Sequence, residues 1–319
     1  MNPIDQARTL AGAGHAQQAI ALLKAGGKAG GANCWFELAA WYLAGRIVAR
    51  DLARSRECFR RAGEAGHRQA RMIYVSLLAN GTGGPADWNG AMSRLREMSV
   101  NDAEAAEQLE VLEAMHLDAD GRPLDLPTSR ALSERPDVRL FLALLSDAEC
   151  RYLITTAKPL LQPSVVVDPA SGRMAPHPVR TSDYAAFPWI DETPVIHAIN
   201  RRIAAASGSD VASGEPLQIL RYRPGQQYRP HHDAVPDTTN QRVLTMLVYL
   251  NRDYDGGETH FLKTGLKVRG ETGDAVLFRN ASADGRADPD AQHAGLPVTA
   301  GEKLIASRWI RQQRFGPSS

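Results

Sequence analysis

The feature that most restricts this chain is a self-similarity in its first third, where residues recur at an offset of 36. Adding 36 takes Gly45 to Gly81, Asp51 to Asp87, Phe59 to Leu95 and Ala70 to Ala106. Subtracting it takes Gly66 to Gly30, Phe59 to Leu23 and Cys58 to Leu22, a further and weaker copy near the start. The same stretch is rich in Ala, Leu, Arg and Glu, with apolar residues at helical spacing. A unit of that length is two short antiparallel helices. Neither buries its apolar face alone, so copies must stack into an α-solenoid of helical hairpins.

Between Met115 and Pro136 the prolines Pro123, Pro127 and Pro136 break any helix. The chain therefore divides into a helical repeat domain (1–120), a linker (121–137) and a second domain (138–319), and its 319 residues suffice for two cores. The second domain opens with a helix-like stretch, Ser146 to Leu161. Short strands follow, clearest at Val243 to Leu250, Leu266 to Val268, Ala275 to Phe278 and Lys303 to Ile310. Strands with little helix between them point to antiparallel closure as a jelly roll or barrel, so the class is α+β in two domains. With 37 basic and 36 acidic residues the chain lacks the footprint of a nucleic-acid or polybasic membrane-surface binder. It also lacks a leader-like start and any bilayer-length apolar run. Cys34, Cys58 and Cys150 are odd in number and scattered, which predicts reduced, buried thiols and a cytoplasmic protein.

The string Tyr222-Arg-Pro-Gly-Gln-Gln-Tyr-Arg-Pro-His231-His232-Asp233 is the most informative. In extended backbone His231 and Asp233 point to one face and His232 to the other, which suits two ligands of one metal. A further imidazole would complete a 2-His-1-carboxylate set of the kind that holds Fe(II), and His293 is the candidate. Ten residues on, Lys303 opens the apolar run Leu304-Ile305-Ala306. An ammonium inside a buried strand requires an anionic partner. His232 and His260 sit beside motifs without occupying a ligand position, and His15, His67, His116, His177 and His197 have no arrangement that suggests ligation. The polar loop Asp237 to Asn240 is expected to be mobile and to act as a lid.

Ala62-Gly-Glu-Ala-Gly-His-Arg-Gln-Ala70 and the Gly81-Thr-Gly-Gly84 turn resemble Sel1-like repeats, which implies a surface for protein partners. From Phe141 to Phe315 the order of motifs resembles the prolyl 4-hydroxylase branch of the 2-oxoglutarate oxygenases. The resemblance rests on Leu145-Ser-Asp-Ala-Glu-Cys150, Val179-Arg-Thr-Ser182, Leu217-Gln-Ile219, Tyr222, His231-x-Asp233, Gln241-Arg242, Thr245 to Asn251, Gly256-Gly-Glu-Thr259, Gly273 to Phe278, His293-Ala-Gly and Gly301-Glu-Lys303 through Trp309-Ile310.

That resemblance implies a double-stranded β-helix (jelly roll) flanked by helices. His231, Asp233 and His293 would hold Fe(II) and, with Lys303, form the catalytic set; Tyr222, Thr259 and Lys303 would bind 2-oxoglutarate. Arg180, Tyr228, Arg242 and Trp309 would line the substrate side. The family couples decarboxylation of 2-oxoglutarate, to succinate and CO2, with hydroxylation by O2, and ascorbate serves as reductant. Ala234, Leu262 and Leu304 depart from the family pattern around the substrate, so the target is less defined than the iron. The expected substrate is a prolyl residue in a peptide or protein. The alternatives are a free amino acid resembling proline, or a non-catalytic 2-oxoglutarate sensor acting through its repeats; a zinc hydrolase on the same ligands is disfavoured by Lys303.

Overall fold

The computed structural model describes residues 2–167, 174–176 and 179–316; His177 lies outside them. Seven helices come first: α1 (Pro3–Gly12), α2 (Ala16–Lys28), α3 (Ala32–Ala44), α4 (Leu52–Glu64), α5 (Arg68–Asn80), α6 (Trp88–Ser99) and α7 (Ala103–Ala114). The offset of 36 is written into their ends: α2, α4 and α6 start at residues 16, 52 and 88, and α3 and α5 start at 32 and 68. The reason is local. Asp51 and Asp87 cap α4 and α6 by accepting from Arg54 N and Gly90 N, and Gly45 and Gly81 end α3 and α5 in the left-handed region at φ 69° and 76°. His67 caps α5 by accepting from Ala70 N through its ring nitrogen.

The equivalence of Ala70 with Ala106 is off by one. Asp102 caps α7, which therefore starts at Ala103, and the buried alanine is Ala105 while Ala106 is exposed. Elsewhere the offset joins core to core, since Phe59, Leu95 and Leu23 are all buried. One compact unit comprises the chain up to Gly121 together with Trp189–His197. Asn80 Nδ2 donates to Trp189 O at 2.7 Å and Ile190 packs on the helical core, so this short segment from beyond residue 138 lies with the helices.

The other unit holds Arg122–Pro188 and Ala198–Gly316. Its strands are β1 (Ser129–Glu134), β2 (Asp137–Phe141), β3 (Gln162–Pro163), β4 (Val165–Val167), β5 (Met174–Pro176), β6 (Asp183–Phe187), β7 (Leu217–Tyr222), β8 (Tyr228–His231), β9 (Arg242–Tyr249), β10 (Tyr254–Gly256), β11 (Thr259–Phe261), β12 (Lys267–Val268), β13 (Ala275–Arg279), β14 (His293–Gly295), β15 (Val298–Gly301) and β16 (Lys303–Arg311). Among the described residues α8 (Asp147–Ala157) accompanies them, as does α9 (Pro194–Ser207) from Ala198 onward, a helix not foreseen from sequence whose first turn belongs to the helical unit. Ser146 and Glu149 form a reciprocal capping box at the start of α8. The proline-rich stretch 121–137 is more than a connector: its Ser129–Glu134 is β1, an edge strand where prolines in the flanking turns cost no ladder bond.

Eight strands form an antiparallel sheet in the order β1-β2-β13-β9-β16-β7-β6-β3, and a second sheet runs β12-β11-β14-β8. Central β16 is buried at every position from Lys303 to Ile310, as a strand covered on both faces must be. Two register pairs position the polar groups of this unit: His231 opposes His293 between β8 and β14, and Tyr222 opposes Lys303 between β7 and β16. No helix among the described residues is long and apolar enough to cross a membrane.

In the helical unit, Leu95→Ala is expected to cost about 2–5 kcal/mol, because a fully buried side chain leaves a cavity. Asp87→Ala should cost about 1 kcal/mol, the value of one cap. Denaturant titration of the full chain followed by far-UV circular dichroism measures both, and equal losses would contradict the packing described.

Candidate active site

Strand pairing delivers the metal-ligating groups. β8 and β14 place His231 and His293 side by side, with ring centroids 4.2 Å apart, and the turn after β8 brings Asp233 beside them. His231 Nε2 lies 3.5 Å from Asp233 Oδ1, and His293 Nε2 lies 3.7 Å from Asp233 Oδ2. One ligand atom from each residue falls within 4.8 Å of the others, the span of a single ion's ligand shell. Each imidazole is aimed by its far nitrogen. His231 Nδ1 lies 2.9 Å from Arg229 O and His293 Nδ1 lies 3.0 Å from Ala291 O. A carbonyl only accepts, so Nδ1 carries the proton and Nε2 keeps its lone pair for a metal.

The protonation states also suit a cation. Burial alone would raise the Asp233 carboxyl, but the His231 hydrogen bond, the two imidazoles and the Thr245 hydroxyl outweigh it and hold the group well below the usual carboxylate range. Burial pushes His293 down to about 4, against the opposing pull of Asp233. A carboxylate and a neutral imidazole at neutral pH are what metal binding requires, since ligands must shed their protons first.

These groups open into a cavity of about 490 Å³, counting its mouth, walled by Leu220, Leu247 and Ile305. Lys303 lies in the same cavity, 2% exposed, and its Nζ donates to Gly257 O at 2.6 Å. That carbonyl is presented by a Gly256-Gly257 turn with φ of 69° and 70°, conformations that side chains rarely adopt. Aromatic rings of Tyr222 and Tyr249 flank the ammonium at 5.7 and 5.6 Å. Burial lowers Lys303 to about 8, Glu258 pulling the other way. No carboxylate forms an ion pair with it among the described residues, so the charge awaits an anion.

Tyr222 and Thr259 line the cavity too, Thr259 Oγ1 lying 3.3 Å from the Tyr249 hydroxyl. Tyr228 stacks on His231 at 3.4 Å between centroids, and Trp309 closes another wall. Arg180 and Arg242 pack against these rings and are not among the residues that line the cavity. Arg180 lies 5.8 Å from the Tyr228 ring and donates to Ser164. Arg242 lies 3.8 Å from the Trp309 ring and is held by Glu215 through two bonds of 2.6 and 2.8 Å. Sequence reasoning missed Glu215, Tyr249, Thr245 and Asn280. Thr245 and Asn280 were detectable in principle, because a polar side chain within or directly after an apolar strand needs a partner.

Several known proteins share this region. Residues 217–311 match the 2OG-Fe(II) oxygenase superfamily. Prolyl 4-hydroxylase 1 of Arabidopsis thaliana is 40% identical over 201 residues, which span 57% of this chain and 71% of that protein. Prolyl 4-hydroxylase subunit alpha-1 of Rattus norvegicus is 34% identical over 191 residues, 56% of this chain and 35% of that one. Among solved structures, the viral collagen prolyl hydroxylase of Paramecium Bursaria Chlorella virus-1 in complex with 2OG is 31% identical at a TM-score of 0.45, covering 55% of this chain and 96% of that one.

The full chain should bind one divalent ion, with Fe(II) and Co(II) as probes. His293→Ala is expected to weaken binding by more than the ~10–100-fold that loss of an outer hydrogen-bond partner typically causes. Anaerobic titration of metal-free protein measures this, and an unchanged affinity would show that the three side chains do not share an ion.

Proposed function

Since this chain belongs to the prolyl 4-hydroxylases of the 2OG-Fe(II) oxygenase superfamily, we propose that it hydroxylates a prolyl residue in a peptide or protein, releasing succinate and CO2. The observation that carries this reading is the buried Lys303 ammonium in the same cavity as the His231, Asp233 and His293 cluster. The donor set of two imidazole nitrogens and one carboxylate oxygen fits Fe(II), and the lysine fits an anion in the same cavity. When bound, Fe(II) with 2-oxoglutarate and O2 supplies the oxidising chemistry, with ascorbate as reductant.

The chain's own residues do the rest by positioning. Lys303 receives the distal carboxylate of 2-oxoglutarate, an ion pair made strong by the dry surroundings. Tyr222 and Thr259 offer hydroxyls beside it, and Leu220, Leu247 and Ile305 exclude water around the carbon chain. Tyr228 and Trp309 form apolar walls that suit a pyrrolidine ring, and Arg180 and Arg242 brace those rings. A peptide is favoured over a free amino acid because no arginine among the described residues lines the cavity to take a free carboxylate.

The same reading extends to the architecture. The 36-residue spacing of α2 through α6 supports Sel1-like repeats stacked as an α-solenoid over 1–120, with a surface for a protein partner. The two antiparallel sheets support a jelly roll over 138–319. Three free, buried cysteines fit the reducing cytoplasm.

Succinate release from 2-oxoglutarate with Fe(II), ascorbate and a panel of proline-containing peptides should be detectable and should vanish in His231→Ala. A panel in which free proline alone drives turnover would overturn the peptide assignment. The lysine adds a pH dependence. In the free protein Lys303 loses its proton at about 8, and the bound carboxylate holds the proton on. Affinity for 2-oxoglutarate is therefore flat below that pH with respect to this group and falls about tenfold per unit above it. Equilibrium titration from neutral to alkaline pH reads this, and Lys303→Met should bind weakly with no such step.

A further inference from the structure

Asp233 is gripped by a hydroxyl as well as faced by the two histidines. Its Oδ2 accepts from Thr245 Oγ1 at 2.7 Å, and Thr245 Oγ1 in turn accepts from Asn280 Nδ2 at 2.7 Å. Thr245 is 0% exposed and Asn280 1%. The direction of this chain is forced. An ionised carboxylate only accepts, so Thr245 gives it its single hydroxyl hydrogen, and the hydroxyl oxygen can then only accept from the amide nitrogen of Asn280.

Asn280 is itself anchored, its backbone N–H donating to Val243 O at 2.9 Å and its carbonyl accepting from Asp288 N at 2.8 Å. Its side-chain Oδ1 is buried with no partner among the described residues. Turning the amide over would set that oxygen against the Thr245 oxygen, two acceptors face to face. An orphaned carbonyl is therefore tolerated while the N–H stays on Thr245, an arrangement that calls for an explanation beyond packing. Asp233 needs such a grip because it lies in the turn after β8, outside any strand pairing, whereas both histidines belong to paired strands.

We infer that Thr245 and Asn280 are positioning residues for the metal: their hydrogen-bond chain holds Asp233 through Oδ2 and so fixes how the carboxylate faces His231 Nε2 at 3.5 Å and His293 Nε2 at 3.7 Å. The inference rests on the metal reading of this site and deepens it by naming what sets the carboxylate.

The test is Co(II) binding by the full chain, read by equilibrium titration and by the visible ligand-field spectrum, with thermal midpoints measured alongside. Thr245→Val keeps the shape and removes the hydroxyl; it should weaken Co(II) by ~10–100-fold, the usual effect of losing an outer partner of a ligand, and alter the spectrum. Thr245→Ser keeps the hydroxyl and should stay close to the unsubstituted protein. Asn280→Ala should fall between them, because the hydroxyl can still donate but is no longer oriented. Should Thr245→Val fail to fold, Asn280→Ala against Thr245→Ser carries the comparison. Unaltered affinity and spectrum in the variant lacking the hydroxyl, or in Asn280→Ala, overturn the inference, as does a serine variant as weak as the valine one. Asp233→Ala separates the two layers: if it binds Co(II) like the unsubstituted protein, the metal reading itself fails.

Discussion

An ammonium sealed inside a sheet is the constraint around which the catalytic unit is organised. Lys303 begins β16, the strand buried along nearly its whole length, and its charge is met by one carbonyl and two aromatic faces. Desolvating such a group costs several kcal/mol even after relaxation, and a lone carbonyl offsets only part of it. The fold bears this cost in a cavity that is also lined by a buried carboxylate, Asp233. The two charges have opposite sign but are not paired with each other: one suits a cation and the other an anion. On the reading proposed above, a small molecule with a chelating end and an acidic end would satisfy both at once, taking binding and orientation from a single pair of desolvated groups.

Register makes that arrangement possible. His231 faces His293 across β8 and β14, and Tyr222 faces Lys303 across β7 and β16. A slip of one residue in either pair would turn the side chains to the opposite face and dismantle the site without breaking the sheet. The glycines of Gly256-Gly257 belong to the same constraint. Their left-handed backbone aims the Gly257 carbonyl at Lys303, and a Cβ on Gly257 would come within 3.1 Å of the Lys303 side chain. The polar loop after Asp233, expected from composition to be mobile, is tied at both ends. Gln241 bonds both the N–H and the carbonyl of Val235, and Asn240 bonds Gln313 O and Arg314 O.

How much of this could be read from residues alone depends on the range of the interactions involved. The helical offset was legible because caps such as Asp51 and Asp87 and turn glycines such as Gly45 and Gly81 act within a few residues of themselves. The pairing of His231 with Asp233 was legible from strand alternation, and Lys303 from the clash between its charge and its apolar neighbours. Long-range partners were not. Nothing near Arg242 announces Glu215, 27 residues away, and nothing near Thr245 announces Asn280, 35 residues away. The strand at Ser129–Glu134 was hidden because flanking prolines describe its turns and not its pairing, and α9 because its neighbours in sequence are loops. Even the repeat failed locally at Ala106, where the cap at Asp102 moved the helix by one residue.

Glu215 shows how a partner absent from the motif changes the reading of a motif residue. As an isolated cation, Arg242 would be a natural hand for an acidic substrate. In the folded chain Glu215 takes two bonds from Arg242 and one of 2.6 Å from Arg311, so one carboxylate serves two guanidinium groups while Arg242 lies over the Trp309 ring. A guanidinium held in that way stiffens the indole and leaves little freedom to pursue a separate carboxylate. The wall it braces is apolar, as are Leu220, Leu247 and Ile305 nearby. On the reading proposed above, recognition on this side would run through shape and ring contact, which suits a prolyl residue within a peptide.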